Sequence, residues 1–423
     1  MAHTFIDGGV TAARGFTASG VLSKIKPSRT TSDTALIFSE RVCNAAGVFT
    51  RNRVKAECVK LTRDHIADGK AQAIIANSGN ANACTGKEGY DNAAREAEAV
   101  AARMGIKPSD VLVLSTGVIG QRLPVEKILG SLDSLAIGLS KEGHKEARAA
   151  IMTTDTRHKE SAIETEIGGK KIRMGTMAKG SGMIHINMGT MLAVITTDAA
   201  ISPKMLDKAL RLSAERTYNC VSIDGDTSTN DSLIILANGM AGNEEITREG
   251  EDFDAFVAAL DALNTQMARK IAADGEGASR LVTCEVSGAA SVEDARGLAK
   301  TVIRSNLVKA AFFGADANWG RILDAMGYSG YFFTPEKCSV SFASRQGARR
   351  YFEDGEPDGG ERSVIKVFER GAPLKFDEEE AKKILTREAV EILVELEDGD
   401  AAGTAWGCDL TYDYVKINGD YRT

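Results

Sequence analysis

One stretch of this sequence puts a hydroxyl where a reactive group can be made. Lys179-Gly180-Ser181-Gly182-Met183-Ile184-His185-Ile186-Asn187-Met188-Gly189-Thr190 is glycine-loosened and loop-like, and the apolar run Met191 to Ile195 follows without a gap. Thr190 therefore stands where a flexible segment enters what reads as a buried strand. Cutting the Gly189–Thr190 bond would make Thr190 an N-terminus with a nucleophile, its hydroxyl, and a base, its α-amine, on one residue. Gly189 offers little steric resistance to a strained peptide, and Asn187 supplies an amide able to polarise a nearby carbonyl. The plain alternative is a strand-start threonine after a glycine loop, which for an arbitrary Gly-Thr pair is far commoner.

Other polar runs could assist such chemistry. Ser115-Thr116-Gly117-Val118-Ile119-Gly120 follows the strand-like Val111–Leu114. A hydroxyl and a backbone N–H at a strand end can form an oxyanion hole, while a simple strand-to-loop turn needs the same residues. Asp224–Asp231 is a dense polar run that lacks the closing glutamate of a calcium loop and reads as a turn network. Asp274-Gly275-Glu276-Gly277-Ala278 sets one carboxylate between two glycines, either an exposed helix end or a carboxylate shown to a ligand amine. Trp319, in Ala315–Arg321, reads as a packing anchor. The five histidines show no dyad spacing, which suits a nucleophile that needs no histidine base.

The elements that must position these groups alternate. Thr34–Ser39, Ala73–Ala76, Val111–Leu114, Met191–Thr196, Leu233–Leu236, Leu281–Val286 and Ser339–Phe342 are short, continuous apolar runs, as expected of strands covered on both faces. Ile163–Ile167 and Lys170–Met174 flank Gly168-Gly169 as a hairpin. Asn92–Met104, Pro203–Thr217 with Ser202 as its cap, Phe253–Ala273, Val292–Phe312 and Asp377–Leu396 are expected helices. The aromatic, alternating tail Trp406–Thr423 is expected to be tied down. The class is α/β, layered strands covered by helices.

The 423 residues carry a formal net charge of −7, scattered basic residues and 6% aromatics, which argues against nucleic acid as a partner. No apolar stretch is long enough for a membrane helix, and the N-terminal residues lack the pattern of a secretory signal. Seven cysteines without a CxxC pair read as free thiols in a reducing compartment, and no metal-ligand spacing is visible, so no metal is expected.

Taken together these runs resemble the ornithine acetyltransferase (bifunctional glutamate N-acetyltransferase) family of arginine biosynthesis over essentially the whole chain. The motifs that carry the resemblance are Ala178–Ile184 leading to Asn187-Met188 and Thr190-Met191-Leu192, Ser115–Gly120, Met152-Thr153-Thr154-Asp155-Thr156, Asp224–Asp231, Asp274–Ala278, Asp316–Arg321 and the tail Cys408–Asn418. The resemblance implies self-cleavage between Gly189 and Thr190, giving an α chain 1–189 and a β chain 190–423. Both would contribute to one two-lobed fold, similar in layering to N-terminal-nucleophile hydrolases but different in topology, and assemble as α2β2 in the cytoplasm.

The resemblance further implies that Thr190 takes the acetyl group of N2-acetylornithine and passes it to glutamate in ping-pong fashion. Thr116 and Gly117 match the family's oxyanion hole, and Thr153, Lys179, Thr190, Glu276, Asn418 and Thr423 its substrate-binding positions. Lys179 suits a carboxylate and Glu276 an ammonium. No cofactor is implied, and acetyl-CoA stands open as a second acetyl donor. The family often has Pro at the position of Ile186 and Ala at that of Gly189. Two rival readings are an autoprocessed amidase or aminopeptidase, with water as acceptor, and a non-catalytic binding protein that keeps the fold.

Overall fold

Burial on both faces of the central strands decides the architecture. The structure is a computed structural model that describes residues 3–185, 191–351 and 360–420. Its chain divides into two compact units, Met1–Gly180 with Ile186–Asn219 and Thr227–Met267, and Ser181–His185 with Cys220–Asp226 and Ala268–Thr423.

The first unit holds a nine-stranded sheet. Its path runs His3–Ile6, Lys159–Ile167, Lys170–Lys179, Leu192–Thr197, Ser232–Ala237, Thr34–Phe49, Lys70–Asn80 and Val111–Val118, with Phe16–Val21 also on Thr34–Phe49. In Val111–Leu114 and Ala73–Ala76, successive residues enter two different apolar clusters. Leu112, Leu114, Ile74 and Ala76 join one; Val111, Val113, Ala73 and Ile75 join the other. Side chains alternate across a strand, so continuous apolar runs mean burial on both faces. Thr34–Phe49 is far longer than the expected Thr34–Ser39. Its first part pairs with Phe16–Val21 and its last part with Ser232–Ala237, and its pairing with Lys70–Asn80 shifts register between Phe38 and Cys43. The hairpin at Gly168-Gly169 forms as expected, with both glycines at positive φ. Gly86–Met104 ends at Gly105, whose φ of 69° is the left-handed stop that glycine allows. Pro203–Arg216 opens with Pro203 in its first turn, but the side chain of Ser202 makes no capping hydrogen bond.

The second unit holds a six-stranded sheet ordered Ala372–Pro373, Arg362–Glu369, Ser339–Arg345, Ala389–Glu395, Leu281–Ala289 and Ala401–Cys408. Two helix expectations are corrected here. Val292–Phe312 is two helices, Val292–Arg304 and Asn306–Phe313. Ser305 between them is extended (φ −64°, ψ 118°), and its hydroxyl accepts the Val308 N–H as the cap of the second. Asp377 does cap a helix, accepting the N–H groups of Glu379 and Glu380, but that helix stops at Leu385. Ala389–Glu395 is a strand, with Val390, Ile392 and Val394 buried at period two. The described part of the tail is tied down as expected, by hydrogen bonds from Thr411, Tyr414 and Asn418, but as a helix and not as an alternating strand. Tyr412–Gly419 is a helix, and Tyr412 and Val415 are exposed. Trp319 does anchor packing, stacked on Phe368 at 5.0 Å between ring centroids.

All seven cysteines are free, six of them buried. Burial pushes the thiols of Cys43, Cys58 and Cys338 up to about 12, so none is a thiolate near neutral pH. Among the described residues no helix is long and apolar enough to cross a membrane, and no group of three or more metal-ligating side chains occurs.

Glu96 is the unusual charge of the first unit. It lies on the helix Gly86–Met104, fully buried, and neither carboxylate oxygen has a hydrogen-bond partner. Burial raises its pKa to about 8, from an ordinary 4.5. Below pH 4.5 folded and unfolded chains both hold this proton. Between there and pH 8 only the folded chain holds it, so its contribution to stability is lost as pH rises through that window. Glu96→Gln should remove this loss and leave the variant more stable than the parent at pH 8, by on the order of a few kcal/mol. Denaturant unfolding of both proteins at pH 5 and pH 8 measures it; parallel pH curves would refute the assignment.

Candidate active site

In the first unit the strand Val111–Val118 carries Ser115, Thr116 and Gly117 to its end beside Lys70–Asn80, with Thr116 opposite Ser78 and Gly117 opposite Gly79. Gly117 has φ +134°, and a Cβ there would stand 2.4 Å from the Gly79 carbonyl carbon. Only glycine fits, so the backbone bends sharply beside Thr116. Asparagines lock the neighbouring loop. Asn80 Nδ2 donates to the carbonyls of Gln121 (3.2 Å) and Arg122 (3.1 Å), and Asn230 Nδ2 donates to the Ser115 carbonyl at 2.8 Å.

Lys179 ends the strand Lys170–Lys179 and is buried. Its register partner is Leu192, two residues beyond Thr190 in the chain. Close by, Asp155 gathers three hydrogen-bond donors. Its Oδ1 accepts from Lys159 Nζ at 2.7 Å and from the Gly180 N–H at 2.8 Å; its Oδ2 accepts the Thr153 N–H at 3.1 Å. The Asp155 and Lys159 side chains are 0% and 1% exposed. Burial alone would raise the Asp155 carboxyl. The charges of Lys159 and Lys179, with these hydrogen bonds, overcome that and hold it well below the usual carboxylate range. One carboxylate thus faces two buried ammonium groups. Lys159 is hydrogen-bonded to Asp155, whereas the Lys179 ammonium makes no hydrogen bond with a described residue.

The second unit builds around Glu276, which is 5% exposed rather than at a solvated helix end. Its N–H donates to the Ser181 carbonyl at 2.8 Å, and the Ser181 hydroxyl donates to the Asp274 carbonyl at 2.6 Å. Asn418 Nδ2 donates to Glu276 Oε2 at 2.7 Å. A Cβ on Gly182 would lie 2.3 Å from that same oxygen, so residue 182 must be glycine for the carboxylate to sit there. Gly277 has φ +68° and lies against the Tyr414 backbone; the Thr411 hydroxyl donates to its carbonyl at 2.8 Å and caps the Asn418 helix. Asp224 accepts the N–H groups of Met183 and Ile184 at 2.5 and 2.8 Å, and the Tyr414 hydroxyl at 3.4 Å. Burial, followed by the charges of Asp224, Glu276 and Asp226, pushes the Tyr414 phenol well above its usual range, so it stays protonated.

Of the expected site residues, Thr116, Gly117, Thr153 and Lys179 lie in the first unit, and Glu276 and Asn418 in the second. Asp155 joins Thr153 to the Lys179-Gly180 step, and Asn418 meets Glu276 directly. Gly189, Thr190 and Thr423, with Ile186 and Asn187, lie outside the described residues. Asp155, Lys159, Asn80, Asn230 and Asp224 were assigned no role from sequence. An acid followed four residues later by a lysine, and the Asn77/Asn80/Asn82 series, were the available signals.

Comparison with known proteins places these residues in a wider set. The ArgJ family model matches residues 17–423. The chain is similar to the arginine biosynthesis bifunctional protein ArgJ of Caldanaerobacter subterraneus subsp. tengcongensis, 49% identical over 418 residues, 99% of each chain. The protein of the same name from Symbiobacterium thermophilum is 47% identical over 420 residues, 99% of this chain and all of the relative. Among solved structures, ornithine acetyltransferase from Mycobacterium tuberculosis, complexed with ornithine, is 40% identical with a TM-score of 0.41, covering 45% of this chain and 100% of that one.

The Asp155 cluster generates a direct test. Asp155→Asn breaks the buried ion pair that Asp155 makes with Lys159 at 2.7 Å, which should cost about 3–5 kcal/mol of stability. Asp155→Asn with Lys159→Met should recover most of that loss. Denaturant unfolding near neutral pH gives both values; a single variant as stable as the parent would show that the ion pair does not hold this corner together.

Proposed function

The chain belongs to the ArgJ family, and from that premise we propose that it transfers the acetyl group of N2-acetylornithine to glutamate through an acetylated Thr190. The enzyme first cleaves itself at Gly189–Thr190. Thr190 Oγ then adds to the acetyl carbonyl while the Thr190 α-amine accepts its proton. Thr116 and Gly117 stabilise the oxyanion that forms. Collapse of the intermediate breaks the amide, the α-amine returns the proton to the departing nitrogen, and ornithine leaves. The amino group of glutamate attacks the resulting ester, releasing N-acetylglutamate and restoring the Thr190 hydroxyl. Lys179 with Thr153 receives substrate carboxylate, Glu276 with Asn418 receives an ammonium, and Thr423 contributes at the chain end. Acetyl-CoA is a second donor to the same threonine, no bound cofactor is required, and the cleaved chains act in the cytoplasm as α2β2.

The observation that carries this reading is the pairing of Lys179 with Leu192. It fixes a buried ammonium, which hydrogen-bonds to no described residue, beside the strand that begins just after Thr190. A substrate carboxylate bound there supplies the missing partner, and both donor and acceptor are amino acids that carry one.

Purified protein should run on a denaturing gel as two chains, not as one near 45.0 kDa. Thr190→Ala should give one chain and no transfer. Release of ornithine from N2-acetylornithine should require glutamate; release at the same rate without it would assign a hydrolase instead. Lys179→Met should raise KM for both amino acids at least tenfold, and an unchanged KM would remove Lys179 from the site.

A further inference from the structure

A polar surface pocket lies in the first unit. Its volume is about 470 Å³, and it is lined by Gly47, Val48, Phe49, Thr50, Arg51, Lys55, Arg63 and Arg211. We propose that this pocket binds the phosphate groups of a small polyphosphate ligand.

The charge pattern is the first reason. Four cationic residues line the cavity and no carboxylate does, in a chain whose formal net charge is −7. Arg211 is paired with Asp207 at 2.8 Å, and Lys55 Nζ donates to the Asn52 carbonyl at 2.8 Å. Arg63 makes no hydrogen bond or ion pair with any described residue. Like charges gathered around one pocket repel one another unless an anion joins them. Arginine's planar fork matches phosphate oxygens in pairs. A di- or triphosphate offers enough oxygens to meet several of these cations at once, which a single carboxylate does not.

The second reason is rigidity. The floor of the pocket is fixed before any ligand arrives. The Thr50 N–H donates to the Asp231 carbonyl at 3.0 Å, the Thr50 hydroxyl to the Ser228 carbonyl at 2.7 Å, and Asn52 Nδ2 to the Thr227 carbonyl at 2.9 Å. Arg63 rides on the helix Glu57–His65 and Arg211 on Pro203–Arg216, so three separate elements aim cations at one space. Such preorganisation is what separates a binding site from a solvated basic face.

The third reason is location. Phe49 is paired with Ser232, Ser232 with Leu192, and Leu192 with Lys179. Neighbouring strands lie about 4.8 Å apart, so the end of the Phe49 strand stands roughly 10 Å from Leu192. Asn230, beside Asp231, also donates to the Ser115 carbonyl next to Thr116. A ligand anchored here by phosphate would have its remainder within reach of that end of the sheet.

The test is direct binding to the full-length protein by isothermal titration at low ionic strength, with pyrophosphate, ADP and coenzyme A as probes. Pyrophosphate should bind and weaken as salt is raised, since the attraction is screened. Coenzyme A binding tighter than pyrophosphate would identify a nucleotide-bearing carrier as the source of the phosphates; equal binding would identify an inorganic ion. Arg63→Glu should weaken whichever probe binds by at least tenfold, and Arg63→Lys should weaken it far less. Arg63 is exposed, and unchanged thermal unfolding of both variants would show that they fold. Absence of binding by all three probes, or equal binding by Arg63→Glu and the parent, overturns the proposal.

Discussion

The register of one sheet governs what this molecule can do. Lys179, Leu192, Ser232 and Phe49 form a row across four strands, and each is held by backbone pairing to the next. A slip of one residue in any of these pairings would turn its whole strand over and exchange the faces of its side chains. Such a slip is strongly opposed here because Leu192, Val194, Ile234 and Leu236 all enter one buried cluster. The apolar packing that stabilises the sheet therefore also places Lys179 beside the start of the Leu192 strand. Chemistry at that end inherits its precision from burial at the centre.

Much of this was legible in the sequence, and the failures have physical causes. The continuous runs at Ala73–Ala76 and Val111–Leu114 announce strands buried on both faces, and the two apolar clusters fulfil that. Gly105 announces the end of its helix because it takes up a left-handed φ. The helix expected over Asp377–Leu396 failed because a strong acidic start masked a change of period. Val390, Ile392 and Val394 repeat every second residue, and tertiary pairing on both sides makes them a strand. Ser305 was hidden inside an apolar pattern that is helical on either side of it. At the site, the spacing of Glu276 between glycines was readable, but its burial was not. That depends on Asn418 arriving from the far end of the chain and on the space left by Gly182. Asp155 stands within Met152–Thr156 with Lys159 four residues on, yet its role also depends on Gly180 at the end of a distant strand, which no local pattern reveals.

The two units solve the problem of buried charge in opposite senses. Around Asp155 one carboxylate is shared by two buried lysines, so a positive charge is left over at Lys179. Around Glu276 the carboxylate is met by a neutral amide from Asn418, so a negative charge is left over. Leaving either charge without an opposite partner costs stability, because burial weakens hydration and strengthens the field of the remaining charge. Evolution could have removed the cost by placing an apolar residue at either position. The Glu276 carboxylate is held by the Asn418 amide in the space that Gly182 leaves open, so the cost there is structural and specific. An anion bound at Lys179, or a cation bound at Glu276, should therefore stabilise the folded protein by neutralising a charge that its own unit leaves unmatched, and not only by filling space.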